Sequence, residues 1–273
     1  NAEVDGFDGV NTIGRASIAQ SALGLAYRGD TADLSAAAGV AVPLGIGADP
    51  WAEVKLLSRL RPVTAVEFQL TLGHKGRTPT LRERLRIDIG NESLGPEKAY
   101  FGEMKMTFQP TQRWKITWAN YLRRTNGLIR FDPVTRSLGN TKDLWTRGIE
   151  AGVETKIGER VSLGVNYNYA EAHSRILGSD PLDFFPKHRG SAWIRLSYQR
   201  FGATTRVQYW GTQIDRDTEL PARSLIQATL YARITEQYLL SMRGENLSGR
   251  VYEQRLGIRA PGRVFFTSVQ AQW

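Results

Sequence analysis

The chain has 273 residues, of which 41% are hydrophobic, and a formal net charge of +9. It has no run near the roughly 20 apolar residues of a membrane-spanning helix. With no cysteine and three scattered histidines, disulfides and thiolate metal sites are excluded and a zinc site is disfavoured. Its arginines are spread along the chain and form no basic block, which disfavours nucleic acid as a partner. Membrane-spanning β-strands remain open, because their signal is alternation and not overall hydropathy.

Alternation with a period of two runs along the chain in order. The segments WAEVKLLSRLR, AVEFQLTLG, RWKITWANY, RVSLGVNYNY, SAWIRLSY and SLIQATLYARI each place apolar side chains on one face and mainly polar ones on the other, as a two-sided strand does. None has the 3.6-residue period of an amphipathic helix. We therefore predict an all-β chain of about thirteen strands, at residues 15–28, 31–43, 50–61, 64–74, 99–109, 113–131, 144–157, 160–172, 188–200, 202–212, 223–235, 238–247 and 263–273.

The connections between these strands alternate in length. Short ones fall at residues 28–30, 61–63, 109–112, 158–159, 200–201 and 236–237, and long ones at about 44–49, 75–98, 132–143, 173–187, 213–222 and 248–262. Tight turns at one end and long loops at the other are typical of an outer-membrane barrel. The pattern predicts a transmembrane antiparallel up-and-down β-barrel.

A soluble β-sandwich or a lipocalin-like barrel is the alternative, because soluble all-β domains also alternate. Two features favour the membrane barrel. The predicted strands reach the roughly 9–11 residues needed to cross a bilayer, against about 5–6 in soluble domains. Aromatic residues also gather near strand ends, as in interfacial girdles. The dispersed basic residues are then expected to face a water-filled lumen.

Five stretches carry motifs of a known family. They are GRTPTLRERL at 76–85, GNESLGPEKAYFGEM at 90–104, RRTNGLIRFDP at 123–133, GSDPLDFFPKHRGSAWIRLSY at 178–198 and RGENLSGRVYEQRLGIRAPGRVFFTSVQAQW at 243–273. The last contains a glutamate-asparagine-leucine run, a proline-glycine-arginine turn and a terminal aromatic strand. Together and in this order they resemble the TonB-dependent outer-membrane transporters of Gram-negative bacteria. Glu92 and Gly95 depart from the family pattern, which puts the local conformation of that loop in doubt.

The resemblance implies a 22-stranded barrel that is preceded by a plug domain and a short TonB-binding segment. Counted back from Trp273 as strand 22, the chain corresponds to strands 10–22, and no plug is recognisable in it. Residues 1–273 are then the C-terminal part of the barrel, and 1–14 are a remnant of an extracellular loop. The expected location is the bacterial outer membrane, with the long loops outside the cell and the C-terminus on the periplasmic side.

An antiparallel barrel with an odd number of strands cannot close on itself. The first and last strands of an antiparallel barrel must pair antiparallel, and an open edge in lipid leaves backbone groups unsatisfied. We therefore expect a second polypeptide to supply the plug and the remaining strands, either as the other product of a cleavage in a surface loop or as a separately encoded subunit. The other expected partners are a TonB-type motor acting through that plug, the barrel-assembly machinery, and lipid with lipopolysaccharide.

The resemblance implies import of a scarce, large ligand such as a siderophore or other metal chelate, haem or cobalamin, without catalysis and without a cofactor. The alternatives are a structural subunit of a surface or secretion assembly built on a split barrel, and a small self-closing pore. We find no catalytic constellation, since His74, His173 and His188 are isolated and are expected in loops or the lumen. Four loop aspartates are interpreted as solvated carboxylates in preference to a cation site; they are Asp180, Asp183, Asp215 and Asp217.

Candidate ligand-binding residues are cationic and aromatic side chains predicted in long loops or on lumen faces. Arginine, tyrosine and tryptophan hold anionic or aromatic ligands through paired hydrogen bonds and stacking. The candidates are Arg77, Arg82, Arg84, Arg130, Trp145, Tyr209, Trp210 and Arg216. The alternative is that these arginines pair with Glu83, with Asp88 and with lipopolysaccharide phosphates.

The last segment is predicted to face lipid with every second side chain. This set consists of Phe265, Thr267, Val269, Ala271 and Trp273, with Trp273 at the periplasmic interface. It resembles the C-terminal signal that the barrel-assembly machinery reads.

Overall fold

The computed structural model describes residues 2–4, 14–44, 49–132, 134–140, 143–174, 186–215 and 218–271. One large antiparallel sheet dominates it, and thirteen strands of that sheet have eight residues or more. The predicted all-β class and the predicted number of long strands are confirmed. The described residues contain no helix of the length and apolarity needed to span a bilayer.

The elements follow one another as a series of long hairpins. In chain order they are β1 (Ala2–Val4), β2 (Gly14–Arg28), β3 (Ala32–Leu44), β4 (Trp51–Val63), β5 (Val66–Arg77), α1 (Leu81–Leu85), β6 (Glu97–Thr111), β7 (Trp114–Asn126), β8 (Ile129–Asp132), β9 (Ser137–Asn140), β10 (Leu144–Ile157), β11 (Val161–Ser174), β12 (His188–Tyr198), β13 (Phe201–Trp210), β14 (Gln213–Asp215), β15 (Thr218–Leu220), β16 (Arg223–Arg233), β17 (Tyr238–Glu245), β18 (Glu253–Arg255), β19 (Ile258–Arg259) and β20 (Val264–Ala271).

The order of strands in the large sheet is the order of the chain. It runs β1-β2-β3-β4-β5-β6-β7-β10-β11-β12-β13-β16-β17-β20, and its two end strands do not pair with each other, so the described sheet is open, as part of a barrel is. The short turns lie at one edge of the sheet. The opposite edge carries the long connections, with α1 and the separate hairpins β8–β9, β14–β15 and β18–β19. This edge positions every candidate site.

Two predicted boundaries change in the structure. The strand predicted over 113–131 is wrong at its end, because Gly127 adopts φ 67 and turns the chain after β7, and β8 then pairs with β9. Apolar alternation continues across this turn, and only the Asn126-Gly127 pair marks it in the sequence. Within the predicted loop remnant 1–14, residues 2–4 form β1 and pair with the start of β2. The extracellular position of that remnant stays a prediction.

The two faces of the sheet have opposite chemistry. One row of register neighbours consists of Leu60, Phe68, Met106, Trp118, Ala151 and Tyr167. The row one residue along, on the other face, consists of Arg59, Gln69, Lys105, Ala119, Glu150, Asn168, Arg189, Trp210 and Arg223. We call the first the outer face and the second the inner face.

The outer face exposes large apolar side chains across the whole sheet. Leu23 is 86% exposed, Leu72 is 41% exposed and Phe265 is 69% exposed, on strands far apart in the sheet order. A soluble monomer rarely exposes an apolar patch larger than a few hundred Å², whereas the lipid-facing band of a membrane barrel is apolar throughout. The exposure therefore excludes the soluble alternative.

β20 places its alternate residues as predicted. Phe265, Thr267, Val269 and Ala271 share the outer face, where Val269 lies opposite Leu240 and Phe265 opposite Gly244. Trp273 lies outside the described residues. Recognition of this strand by the barrel-assembly machinery stays a prediction.

Four aromatic side chains on the inner face lie against a glycine directly opposite in the register. The pairs are Phe101 with Gly73, Tyr121 with Gly148, Trp193 with Gly164, and Tyr231 with Gly202. A Cβ added to any of these glycines would overlap the ring. The missing side chain lets the ring lie against the neighbouring strand, which helps to fix the register.

We expect Gly164→Ala to destabilise the barrel by about 1–3 kcal/mol, because the added methyl group forces the Trp193 ring out of its place. Gly24→Ala is the matched control, since the Cβ at this glycine meets its neighbours at ordinary contact distances of 3.6 and 3.7 Å. Resistance of the purified barrel to heat in SDS gel electrophoresis measures the effect. Equal loss in both variants would contradict the packing argument, and Trp193→Leu should rescue Gly164→Ala.

Candidate functional site

A polar cleft opens on the inner face where β10 to β13 approach the long loops. Asn168 stands at its centre, with Nδ2 donating to Glu150 Oε1 at 3.0 Å and Oδ1 accepting from Arg189 Nη2 at 3.3 Å. The cleft has a volume of about 470 Å³ and is also lined by Gln208 and Trp210. Its charges of both signs and its amides are suited to a hydrated, polar ligand or to water.

A second cavity, of about 590 Å³, adjoins this cleft at Trp210. Arg223 lies opposite Trp210 in the register, and its guanidinium is 5.4 Å from the Trp210 ring and 5.3 Å from the Tyr252 ring. Such distances are within the range of cation–π attraction. Gln213, Leu225, Gln254, Arg255 and Ile258 complete the lining. We call this space the Arg223 cavity.

The Arg223 cavity is roofed by two loops that are bonded to each other. Asp215 Oδ2 accepts from the Leu256 N–H at 2.6 Å, and Gln213 Nε2 donates to the Gln254 carbonyl at 3.1 Å. Asn246 organises the longer loop, residues 246–263, with Nδ2 donating to the Arg250 carbonyl at 2.8 Å. Because these bonds join the β14–β15 hairpin to the last long loop, the roof is fixed over the ends of β13 and β16.

The loop between β5 and β6 is held by an ion-pair network around Arg77. Arg77 Nη1 lies 2.9 Å from Glu83 Oε2, and its Nη2 lies 2.8 Å from Glu97 Oε1. Thr80 and Glu83 form a capping box at the start of α1, with the Glu83 N–H donating to Thr80 Oγ1 at 3.2 Å. Arg77 therefore ties β5, α1 and β6 together.

Burial by itself raises the pKa of Glu83, but hydrogen bonds from Arg77 and Thr80 outweigh it and hold the pKa below the ordinary 4.5. A carboxyl group with a depressed pKa stabilises the folded form above its unfolded pKa and loses that contribution as the pH falls. The Arg77 network therefore stabilises the loop at neutral pH and weakens only in acid.

The same loop is bonded to the β8–β9 hairpin. Asn140 Nδ2 donates to the Gly95 carbonyl at 3.0 Å and to the Gly127 carbonyl at 2.7 Å, and its Oδ1 accepts from the Gly95 N–H at 2.8 Å. Asn91 Nδ2 donates to the Leu138 carbonyl at 2.8 Å. The two long connections thus form one body at the edge of the sheet.

The structure places the predicted loop arginines in this region. Arg77 is in the ion-pair network just described, which matches the alternative of pairing with Glu83. Arg84 donates to the Glu92 carbonyl, and Arg82 is exposed on α1. Arg130 is in β8, opposite Gly139. Asp88 pairs with Arg86, a residue outside the predicted set. Ligand binding by the four predicted arginines stays a prediction.

The remaining predicted residues separate onto the two faces. Trp210 lies on the inner face and lines both the cleft and the Arg223 cavity. Tyr209 and Trp145 lie on the outer face, where Tyr209 is opposite Gly190 and Trp145 is opposite His173. Arg216 lies outside the described residues. Of Trp145, Tyr209 and Trp210, only Trp210 therefore has its side chain on the face that forms the cleft.

Sequence reasoning missed Glu150, Asn168, Arg189 and Arg223. All four occupy the same register row as Trp210, so the signal that identifies them is alignment of neighbouring strands and not any local motif.

A belt of charged and aromatic residues lies on the outer face at the ends of β7, β10 and β11. Arg147 Nη2 is 2.7 Å from Glu171 Oε2, and Arg124 pairs with Asp143 and lies 5.4 Å from the Trp145 ring. The expectation that basic residues all face the lumen is therefore wrong for these two arginines. Their partners neutralise them at the level where the apolar band gives way to the loops.

The histidines also belong to this end of the outer face. His74, His173 and His188, expected in loops or the lumen, are strand residues on the outer face. His74 stacks on Tyr100 at 4.3 Å, and His188 Nδ1 is 2.7 Å from the Tyr167 hydroxyl. Their position among aromatic rings corrects the prediction and indicates a role in the interfacial belt.

Of the four predicted loop aspartates, only Asp215 is among the described residues. Asp215 is 2% exposed, so its interpretation as a solvated carboxylate is wrong, because it accepts the Leu256 N–H inside the roof. Asp180, Asp183 and Asp217 lie outside the described residues. The described ranges contain no group of three or more His, Cys, Asp or Glu side chains arranged to hold a metal ion.

Comparison with known families and structures gives a consistent result. A family model described as TonB dependent receptor-like, beta-barrel matches residues 59–247, well over half of the chain. No curated protein matches the sequence.

Several solved structures share the fold. The chain aligns with the copper transporter OprC at 14% identity and a TM-score of 0.78, covering 94% of this chain and 49% of that one. It aligns with the siderophore receptor PirA from Acinetobacter baumannii at 12% identity and a TM-score of 0.77, covering 94% and 46%. The FrpB iron transporter from Neisseria meningitidis aligns at 10% identity and a TM-score of 0.76, covering 94% and 45%. The chain thus spans about half the length of these structures.

Proposed function

Because the chain belongs to the TonB-dependent receptor-like β-barrel family, whose barrels are outer-membrane proteins, we propose that it forms part of the wall of an outer-membrane importer. The proposed cargo is a scarce, large ligand of the metal-chelate, haem or cobalamin class. The similarity to a copper transporter and to a siderophore receptor supports a metal-bearing cargo.

The single observation that carries this proposal is the division of the sheet into two faces. The outer face is apolar and exposed, and the inner face is polar and holds two adjoining cavities under the long loops. A wall of this kind separates hydrocarbon from a hydrated passage.

Completion of the barrel requires further strands. β20 leaves one edge without a partner among the described strands, and an unpaired strand edge in lipid costs several kcal/mol for each unsatisfied backbone group. We infer that the remaining strands and a plug come from further polypeptide, which a second chain would supply in the split-barrel form of the proposal. A TonB-type motor would act on that plug.

The test of import uses the bacterium that makes the protein. Inactivating its gene is expected to reduce uptake of one labelled ligand among ferric siderophores, copper chelates, haem and cobalamin by about tenfold or more, because large solutes do not cross the outer membrane unaided. Inactivating the TonB-type motor should give the same loss. Normal uptake of every ligand in both strains would contradict the proposal.

Native purification from outer membranes separates the split barrel from its alternatives. Sequencing the N-terminus of each co-purifying chain is expected to identify the polypeptide that carries the plug. Recovery of the folded chain without further strands would refute the need for them. A stable complex with surface proteins that lacks a plug would instead favour the structural-subunit alternative.

A further inference from the structure

Arg223 is a cation without an anionic partner among the described residues. Its Nη1 is buried and has no hydrogen-bond partner. Two arginines elsewhere at this edge of the sheet do have carboxylate partners: Arg77 pairs with Glu83 and Glu97, and Arg147 pairs with Glu171. A buried guanidinium N–H group without an acceptor is unfavourable, so the group is suited to an acceptor from a bound molecule.

The two aromatic rings beside Arg223 position its guanidinium but do not supply a hydrogen-bond acceptor for Nη1. The Trp210 and Tyr252 rings attract the guanidinium from 5.4 and 5.3 Å, but an aromatic face is not a strong hydrogen-bond acceptor. Because both rings belong to fixed elements, β13 and the bonded roof loop, the guanidinium is oriented before any ligand arrives.

The Arg223 cavity has the chemistry of a site for a partly apolar anion. Leu225, Ile258 and the two rings supply apolar surface, Gln213 and Gln254 supply amides, and Arg255 supplies a second guanidinium. Its volume of about 590 Å³ is within the range of small-molecule sites, roughly 300–1,000 Å³. Sites of this kind combine an apolar lining with a few polar groups that fix orientation.

We propose that the Arg223 cavity binds an organic carboxylate, with the carboxylate on the Arg223 guanidinium and the rest of the molecule against Trp210, Tyr252 and Ile258. A guanidinium and a carboxylate match in shape and charge. Because Leu225, Ile258 and the two rings make much of the lining apolar, the cavity suits an organic acid better than inorganic phosphate. This assignment rests on the proposed function, because the carboxylate would belong to an imported ligand.

Calorimetric titration of the barrel purified from outer membranes tests this site. The probes are benzoate and its uncharged analogue benzamide. Wild-type protein is expected to bind benzoate about tenfold more tightly than benzamide, a difference that corresponds to about 1.4 kcal/mol. Arg223→Gln should remove this preference, and Arg223→Lys should restore part of it, because lysine keeps the charge and loses the fork.

Arg206→Gln is the matched control. Arg206 is an exposed inner-face arginine on β13, opposite Trp193, so the variant has the same change of charge outside the cavity and should keep the full preference. If Arg223→Gln does not fold, Tyr252→Ser serves in its place and should weaken binding of both probes. Equal binding of the two probes by wild-type protein, a preference that survives in Arg223→Gln, or a preference lost in Arg206→Gln would overturn the proposal.

The outcomes separate this site from the importer proposal. One possible result is a benzoate preference that depends on Arg223, with normal uptake of every ligand in the inactivated strain. This result would support the carboxylate site and refute the import function. Uptake that depends on the protein, together with binding that is indifferent to Arg223, would remove the site alone.

Discussion

Val165→Arg is expected to destabilise the barrel by about 2–4 kcal/mol, the cost of an arginine in the lipid-facing band near the bilayer midplane. Val165 is 57% exposed on the outer face of β11, and its register neighbours are Val153 and Ala192. No acidic or polar group stands beside it in that row to receive the charge. The same substitution one residue along, Asn166→Arg, is expected to change stability by less than about 0.5 kcal/mol, because Asn166 lines the polar cleft.

Urea unfolding of the purified barrel in lipid vesicles measures both variants, and the amount of each in the outer membrane gives a second readout. Val165→Leu controls for the change in size and should behave like the wild type. Equal destabilisation by Val165→Arg and Asn166→Arg would contradict the assignment of the two faces, and so would a larger effect at Asn166.

The strands were predictable because their signal is local. Each long strand carries its own alternation, so Val66, Phe68 and Leu70 identify β5 without knowledge of its neighbours. Apolar side chains must contact lipid, and polar side chains must avoid it. Apolar and polar residues therefore alternate along most of each strand. The alternation of short and long connections then predicted the antiparallel order of the sheet.

The candidate site was less predictable because it depends on pairs that are distant in sequence. Tyr209 and Trp210 are adjacent, and the register places the Tyr209 side chain on the outer face and the Trp210 side chain on the inner face. Alternation within β13 separates the two residues but does not say which face is the inner one. Arg223 acquires its significance from Tyr252, which reaches it from a different loop. The ion pair of Arg77 with Glu97 likewise exists because β5 and β6 lie side by side.

The loops were the least predictable part because single residues decide their paths. Gly127 ends β7 through a positive φ within an otherwise continuous alternation. Asp215 was interpreted as a solvated loop carboxylate, but it is buried because the Leu256 N–H, from another loop, donates a hydrogen bond to it. Such contacts leave no periodic trace in the sequence.

Asn246→Ala is expected to lower the local stability of the loop of residues 246–263 by about 2–5 kcal/mol. Asn246 is 6% exposed and adopts φ 48, a conformation that costs alanine roughly 1–2 kcal/mol. Its side chain donates to the Arg250 carbonyl at 2.8 Å and accepts from the Arg250 N–H at 3.0 Å. Each lost bond is worth roughly 0.5–1.5 kcal/mol.

Hydrogen exchange by mass spectrometry measures this local change, with residues 78–96 as an internal reference because Asn140 and Arg77 hold that loop independently. Asn246→Gly separates the two causes, since glycine accepts the positive φ and lacks only the side-chain bonds. We expect its loss of protection to be intermediate. Unchanged protection in Asn246→Ala would show that the amide does not organise the loop.

The consequence of Asn246→Ala extends from the loop to the Arg223 cavity. Tyr252, Gln254 and Ile258 belong to the loop that Asn246 holds, whereas Arg223 and Trp210 are on strands. Loosening the loop displaces the Tyr252 ring and the roof of the cavity and leaves the Arg223 guanidinium in place. Benzoate binding should therefore weaken in proportion to the loss of hydrogen-exchange protection in the loop. Weakened binding with full protection of the loop would instead place the anion elsewhere on the inner face.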